Sequence, residues 1–307
     1  MEKSPQLAIE ILDAIQKDQF VEWWNGHLPE SYEPFPWEER EILPLNIHKS
    51  LGILEIKGFS EAGKSTGVEY LKFNPIRGYR QIVRPELIVT DAEGIDNDFG
   101  VHELKGFMRI LQGNAQRTLF WNLIKNISFG QGLKQITELL KQDALNEKSG
   151  APIKLIIERG PHDVLTTSYL AAKLSEGKSR THRVHEGPSI IGEQEYIRPD
   201  FEGNFLTSYS LGFSFGQMVD AVVLYYVSRE SQIERRLKQN KKTQGDFINE
   251  QTWPDIFAGE EFWLNCIYPI YRERYGMGLL VLNGENPAEE NNLKLRNFCE
   301  KVFEITN

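Results

Sequence analysis

The stretch Leu51-Gly-Ile-Leu-Glu-Ile-Lys-Gly58-Phe-Ser-Glu-Ala-Gly63-Lys64-Ser65-Thr66 decides the fold. Residues 51–56 (LGILEI) are a short apolar run that reads as a buried strand. The run leads into Gly58, Phe59, Ser60, Glu61, Ala62, Gly63, Lys64 and Ser65, which fit G-x-x-x-x-G-K-[ST] without a mismatch. Thr66 then opens a predicted helix. Strand, glycine loop and helix, in that order, make a phosphate-binding loop. The glycines let backbone N–H groups turn inward onto phosphate oxygens. The helix N-terminus adds partial positive charge. In such a loop Lys64 bridges the β and γ phosphates and the Ser65 hydroxyl holds Mg²⁺. The competing reading is a glycine turn with a solvated lysine, and the flanking strand and helix speak against it.

Outward from this loop the pattern stays α/β. Further strands are predicted at 86–90 (ELIVT), 153–157 (IKLII), 221–227 (AVVLYYV) and 279–282 (LLVL). Four of the five runs are apolar on both faces, as in a parallel sheet covered by helices on each side. Between 104 and 145 the spacing is helical: Phe107, Ile110 and Leu111, then Leu119, Phe120, Leu123 and Ile124. A separate helix over 133–145 is expected after the Gly130/Gly132 break. Residues 176–206 are polar and glycine-rich and read as an insertion. Residues 1–50 form an extension. It holds a short amphipathic helix (Leu7, Ile11, Ile15) and an aromatic, proline-rich arm that includes Phe20, Trp23, Trp24, Tyr32, Phe35 and Trp37. Aromatics this dense usually find a core, so an arm packed on the main domain is favoured over a partner surface.

Composition excludes several classes. The 307 residues carry 35 Lys+Arg against 44 Asp+Glu, a formal charge of −9. An acidic chain without a basic block repels phosphate backbones, so nucleic acid is not an expected partner. No apolar run approaches the roughly 20 residues of a membrane span, and the N-terminus lacks a secretory pattern. Cys266 and Cys299 have no metal-type spacing and read as free thiols. A cytoplasmic protein without membrane contact is expected. His182 and His185 lack the further ligands zinc wants, and no Gly-x-Ser-x-Gly elbow supports serine hydrolysis.

Two more constellations follow predicted strands. Glu158-Arg159-Gly160-Pro161-His162-Asp163 comes after the third. A carboxylate at that strand end, beside the loop, can hold a metal's water or take a proton from an acceptor hydroxyl. Arg159 reads as a phosphate ligand, and Asp163 as a helix N-cap. After the fourth strand, Ser231 and Glu234 form a capping-box pattern. Arg235, Lys238 and Lys242 then share one helix face, beside Arg236. That run is either a solvated face or a mobile basic lid.

These pieces, in this order, resemble the P-loop nucleoside and nucleotide kinases of the thymidylate-kinase and deoxynucleoside-kinase branch. The likeness rests on GFSEAGKST, the Glu158-Arg159 pair, the basic helix, and the final strand running into Asn283-Gly284-Glu285-Asn286-Pro287. It covers roughly 51–307, with a lid near 229–250. The resemblance implies a three-layer P-loop fold whose five-stranded parallel sheet has the order 2-3-1-4-5. It implies ATP as donor, Mg²⁺, and γ-phosphoryl transfer to a small-molecule acceptor, a nucleoside or nucleotide. By that likeness Ser65 and Glu158 serve the metal, and Arg159, Arg235 and Arg236 contact phosphates. Asn283 and Gly284 pack near the adenine base. A homodimer stays open. The acceptor side departs from the family pattern. Asp91 and Glu93 are loop acids or the general base, and Gln112, Gln116 and Arg117 lie on a helix that would face the acceptor. The alternative function is a P-loop NTPase that acts as a switch or binds a partner without a small-molecule acceptor.

Overall fold

The computed structural model describes residues 37–45, 51–59, 61–85, 114–146, 150–167, 181–186, 189–195, 211–238 and 259–304. The strands are β1 (Arg40–Ile42), β2 (Leu51–Gly58), β3 (Arg80–Arg84), β4 (Ile153–Glu158), β5 (Thr181–Glu186), β6 (Ser189–Glu195), β7 (Ala221–Tyr226) and β8 (Gly278–Asn283). The helices are α1 (Lys64–Phe73), α2 (Asn114–Leu145), α3 (Arg229–Lys238), α4 (Tyr268–Tyr275) and α5 (Ala288–Glu304). A helical stretch also spans 161–167. A π-helical turn, Trp263–Ile267, leads straight into α4. Pro269 offers no N–H to the carbonyl four residues earlier, which explains the wider turn there.

Six strands form one sheet in the order β1-β8-β7-β2-β4-β3. Five are parallel, and β1 pairs antiparallel with β8 at the edge, Arg40 opposite Val281. The sequence reading expects five strands and leaves residues 40–42 in an extension, so β1 is an addition to it. A three-residue strand has no room to show a period. The strand expected at 86–90 lies outside the described residues, and the described strand before it is β3. Strands β5 and β6 pair antiparallel in a separate two-stranded sheet, within the residues expected as an insertion.

Burial follows the runs of apolar residues. On one face Ile53, Leu155, Ile157, Val222, Leu224, Leu279 and Val281 meet Phe129 and Ile136 of α2, with Leu165 and Trp263. On the other, Leu54, Ile56, Val223, Tyr225 and Leu282 meet Val68 and Leu71 of α1 and Leu295, Phe298 and Val302 of α5. Alternating side chains of one strand thus feed two cores. The expected break at Gly130 and Gly132 does not exist, because α2 runs unbroken through both. Gly132 is a packing position: a Cβ there would lie 3.0 Å from Leu155 Cδ2. Arg80 binds both Asp143 oxygens and bolts the far end of α2 to β3.

Register places the site. Ile56 pairs with Glu158, and Gly58 with Tyr225. Parallel pairing therefore brings the phosphate loop, the Glu158 turn and the end of β7 to one edge of the sheet.

Candidate functional site

The phosphate loop begins where β2 can no longer carry a side chain. Gly58 has φ 123°, and a Cβ there would sit 2.0 Å from the Tyr225 carbonyl oxygen. Phe59 N donates to that same oxygen at 3.0 Å. Phe59 is buried beneath Trp37, whose ring meets it edge-on at 5.6 Å and stacks on Tyr226 at 5.7 Å. One residue of the aromatic arm thus packs on the loop. Glu61 takes φ 59°, a costly region for a side-chain-bearing residue. Gly63, in the left-handed region at φ 96°, caps α1. Lys64, buried, bends back to donate to the Phe59 carbonyl. Ser65 and Thr66 are exposed in the first turn of α1. Ser60 lies outside the described residues.

Ser65 Oγ donates to Glu158 Oε1 at 2.7 Å, so loop and strand end meet in one hydrogen bond. Two oxygen donors side by side suit Mg²⁺, a hard ion that completes its shell with phosphates and water. Among the described residues no group of three His, Cys, Asp or Glu side chains could hold a metal by itself. Ser65 and Glu158 fit an ion that arrives with a nucleotide.

After Glu158 the chain turns sharply. Arg159 takes φ 55°, and its N–H donates to the Ile56 carbonyl. Asp163 is not the N-cap that the sequence suggests. It sits inside the helical stretch, fully buried, with Oδ2 2.6 Å from Lys125 and 3.7 Å from Arg159. The carboxyl lies far below the usual carboxylate range: burial opposes this, and the Lys125 and Arg159 charges outweigh it. The capping carboxylate comes instead from Glu55 in β2. Its oxygens accept from His162 N at 2.9 Å and Asp163 N at 2.8 Å. Burial pushes the Glu55 carboxyl up to about 7. Beside it, fully buried Lys57 donates to Thr166 Oγ1 and to Glu260 at 2.7 Å, and lies 4.0 Å over the Trp263 ring. Burial, and then the Lys57 charge, hold the His162 ring near a pKa of about 3.

The basic helix is anchored. Arg235 donates to the Glu61 carbonyl at 2.8 Å and the Gly284 carbonyl at 2.6 Å. Gly284 lies against the loop, and a Cβ there would be 2.4 Å from Ala62 O. The N-terminus of α3 is capped at Ser228, not Ser231: Ser231 N donates to Ser228 Oγ at 3.3 Å. Glu285 accepts from Ser228 N and Ser231 Oγ, each at 3.0 Å. Asn283 turns the chain toward α5, its Oδ1 taking the Glu285 N–H at 3.0 Å. Lys238 pairs with Glu234 on the exposed side.

Lys64, Ser65, Glu158, Arg159, Arg235, Asn283 and Gly284 therefore stand at one edge of the sheet. Arg236 lies on α3, and Gln116 and Arg117 lie on α2, while Asp91, Glu93, Gln112 and Lys242 fall outside the described residues. Sequence reasoning missed Glu55, Lys57, Lys125 and Glu260. For Glu55 and Lys57 the available signal was charge inside an apolar strand, LGILEIKG, where a charge must have a partner.

No protein-family model matches the sequence, and no curated protein matches it. Among solved structures the chain is similar to a deoxyadenosine kinase from M. mycoides with dCMP and dCDP bound. Identity is 16%, covering 81% of this chain and 100% of that one, with a TM-score of 0.45. The same enzyme with bound dCTP matches at 14% identity over 81% and 100%, TM-score 0.46. A thymidylate kinase from Candida albicans matches at 11% over 83% and 93%, TM-score 0.44. All three are kinases by name. No helix among the described residues is long and apolar enough to cross a membrane.

Proposed function

We propose that this chain transfers the γ-phosphoryl group of ATP, with Mg²⁺, to a nucleoside or nucleotide. The observation that carries the reading is the hydrogen bond from Ser65 Oγ to Glu158 Oε1 at the mouth of a loop matching G-x-x-x-x-G-K-[ST]. It joins the residue type that holds a nucleotide's metal to a carboxylate at the neighbouring strand end.

Phosphoryl transfer asks a protein mainly for position and charge neutralisation. The loop's backbone N–H groups and the N-terminus of α1 would take the phosphates. Lys64 exchanges the Phe59 carbonyl for the β and γ phosphate oxygens. Bound Mg²⁺ supplies charge neutralisation and a template for the phosphates. Glu158 stands as a metal-associated carboxylate or as the base for the acceptor hydroxyl, and Arg159 neutralises charge beside it. Arg235 keeps the Gly284 loop against the phosphate loop, and the base of ATP would pack near Asn283 and Gly284.

The test is ATP consumption with Mg²⁺, alone and against a panel of nucleosides, nucleoside monophosphates and nicotinamide riboside, with Lys64→Ala as control. Acceptor-dependent ADP release, lost in Lys64→Ala, is the expected result. ATP hydrolysis indifferent to every acceptor would overturn the reading and favour a switch or partner-binding ATPase.

A further inference from the structure

We infer that Glu55 and Lys57, on the strand that carries the phosphate loop, grip the helical stretch 161–167 and thereby position Glu158 and Arg159. The inference rests on the phosphotransfer reading above and adds two positioning residues to it.

Glu55 and Lys57 are two apart in β2, so both side chains leave the same face of the sheet. Neither is exposed at all. A bare charge there is expensive, and each is held by partners. Glu55 takes the backbone N–H groups of His162 and Asp163, the first turn of the helical stretch. Lys57 takes Thr166 Oγ1, one turn further on, and the Glu260 carboxylate. One strand therefore holds one helix at its N-terminus and along its side. Two anchor points fix orientation as well as distance.

The turn between strand and helix is the part that matters for the site. Arg159 sits at φ 55°. Such a residue persists only where its surroundings over-determine it. Here Ile56 of the same strand accepts the Arg159 N–H at 2.9 Å. Gly160 gives the carboxylate room, since a Cβ there would lie 3.0 Å from Glu55 Oε2. Asp163, whose N–H Glu55 holds, passes the constraint outward: its Oδ2 faces Arg159 Nη1 at 3.7 Å and Lys125 Nζ at 2.6 Å. The strand then ends in Gly58, one residue after Lys57. The grip and the phosphate loop are thus parts of one rigid element. If stability alone were at stake, apolar residues of similar volume would serve as well as these buried charges.

Full-length Glu55→Gln and Thr166→Val test the inference. Gln keeps the shape of Glu55 but presents a donor to one of the two N–H groups, and Val removes the hydroxyl that Lys57 reaches. Steady-state turnover with MgATP and an acceptor from the panel is measured beside amide hydrogen exchange of residues 159–164. Expected for Glu55→Gln is faster exchange confined to 159–164 and a kcat lower by roughly 10- to 100-fold, with KM for ATP within about twofold. Expected for Thr166→Val is a kcat loss of the same kind, roughly 3- to 10-fold. If Glu55→Gln does not fold, Thr166→Val carries the test. A kcat within twofold of wild type in the folded variants, whatever the exchange or unfolding does, would overturn the positioning role. A wild type that turns over no ATP would overturn the reading beneath it instead.

Discussion

Tyr225 shows how a single residue can sit in a good core and still be unsatisfied. It is buried in β7, and among the described residues its hydroxyl has no hydrogen-bond partner. The same oxygen would lie 2.5 Å from a Cβ on Gly67, so α1 packs directly over it. A buried unsatisfied hydroxyl costs about 1–3 kcal/mol. Tyr225→Phe keeps the ring and removes the cost, so urea unfolding is expected to show a gain of about 1 kcal/mol. A loss would mean that the hydroxyl is held.

Glu55 and His162 set opposite pH slopes. The folded Glu55 carboxyl is raised to about 7 from 4.5, chiefly by burial. Its contribution is full below about 4.5 and is lost as pH rises toward 7. The folded His162 ring is lowered to about 3 from 6.5, chiefly by burial and then by Lys57. Its contribution is full above 6.5 and is lost as pH falls toward 3. Urea unfolding between pH 5 and pH 8 checks the first. The stability of wild type relative to Glu55→Gln should fall as pH rises through this range, by up to a few kcal/mol. A flat difference would remove Glu55 from the titration.

At the scale of elements, α3 is a tethered helix rather than a free arm. Arg235 ties it to two backbone carbonyls and Glu285 to its N-terminus. Arg235→Ala should weaken nucleotide binding roughly tenfold, the worth of charge-assisted hydrogen bonds. Lys238→Ala, whose side chain is exposed beside Glu234, should stay within twofold. Titration with a fluorescent nucleotide compares the two, and equal losses would contradict the tether. A basic run is visible in sequence, but an arginine bound to carbonyls leaves no trace there, because every residue has a carbonyl. The cap at Ser228 rather than Ser231 is a three-residue shift of the same origin, for two serines compete and only packing chooses. Gly132 was legible as a glycine and misread as a break. Gly132→Ala gains about 1 kcal/mol of helix propensity, but its Cβ meets Leu155 Cδ2 at 3.0 Å and Cδ1 at 3.1 Å. Overpacking of about 1–3 kcal/mol outweighs the gain, so urea unfolding should show a net loss.

Across the whole molecule, the parallel strands were legible where they were apolar on both faces: β2, β4, β7 and β8. The loop was legible because its chemistry demands fixed residues at fixed spacing. The edge strand β1 was not, since Arg40-Glu41-Ile42 is short and two of its three residues are charged. Nor was the partner of Trp37, which lies against Phe59 and Tyr226 from far along the chain. The acceptor side stayed illegible for a different reason. Glutamines and acids outside a strict motif do not declare their geometry, and Asp91, Glu93 and Gln112 lie outside the described residues.

The γ-phosphoryl group is expected to go to an acceptor and not to water. This is checked by following γ-labelled ATP with Mg²⁺ and a mixture of nucleosides and nucleoside monophosphates, separating labelled products with time. Label is expected in a phosphorylated nucleoside or nucleotide, and absent with Lys64→Ala. Label found only in inorganic phosphate, at a rate no acceptor changes, would contradict it.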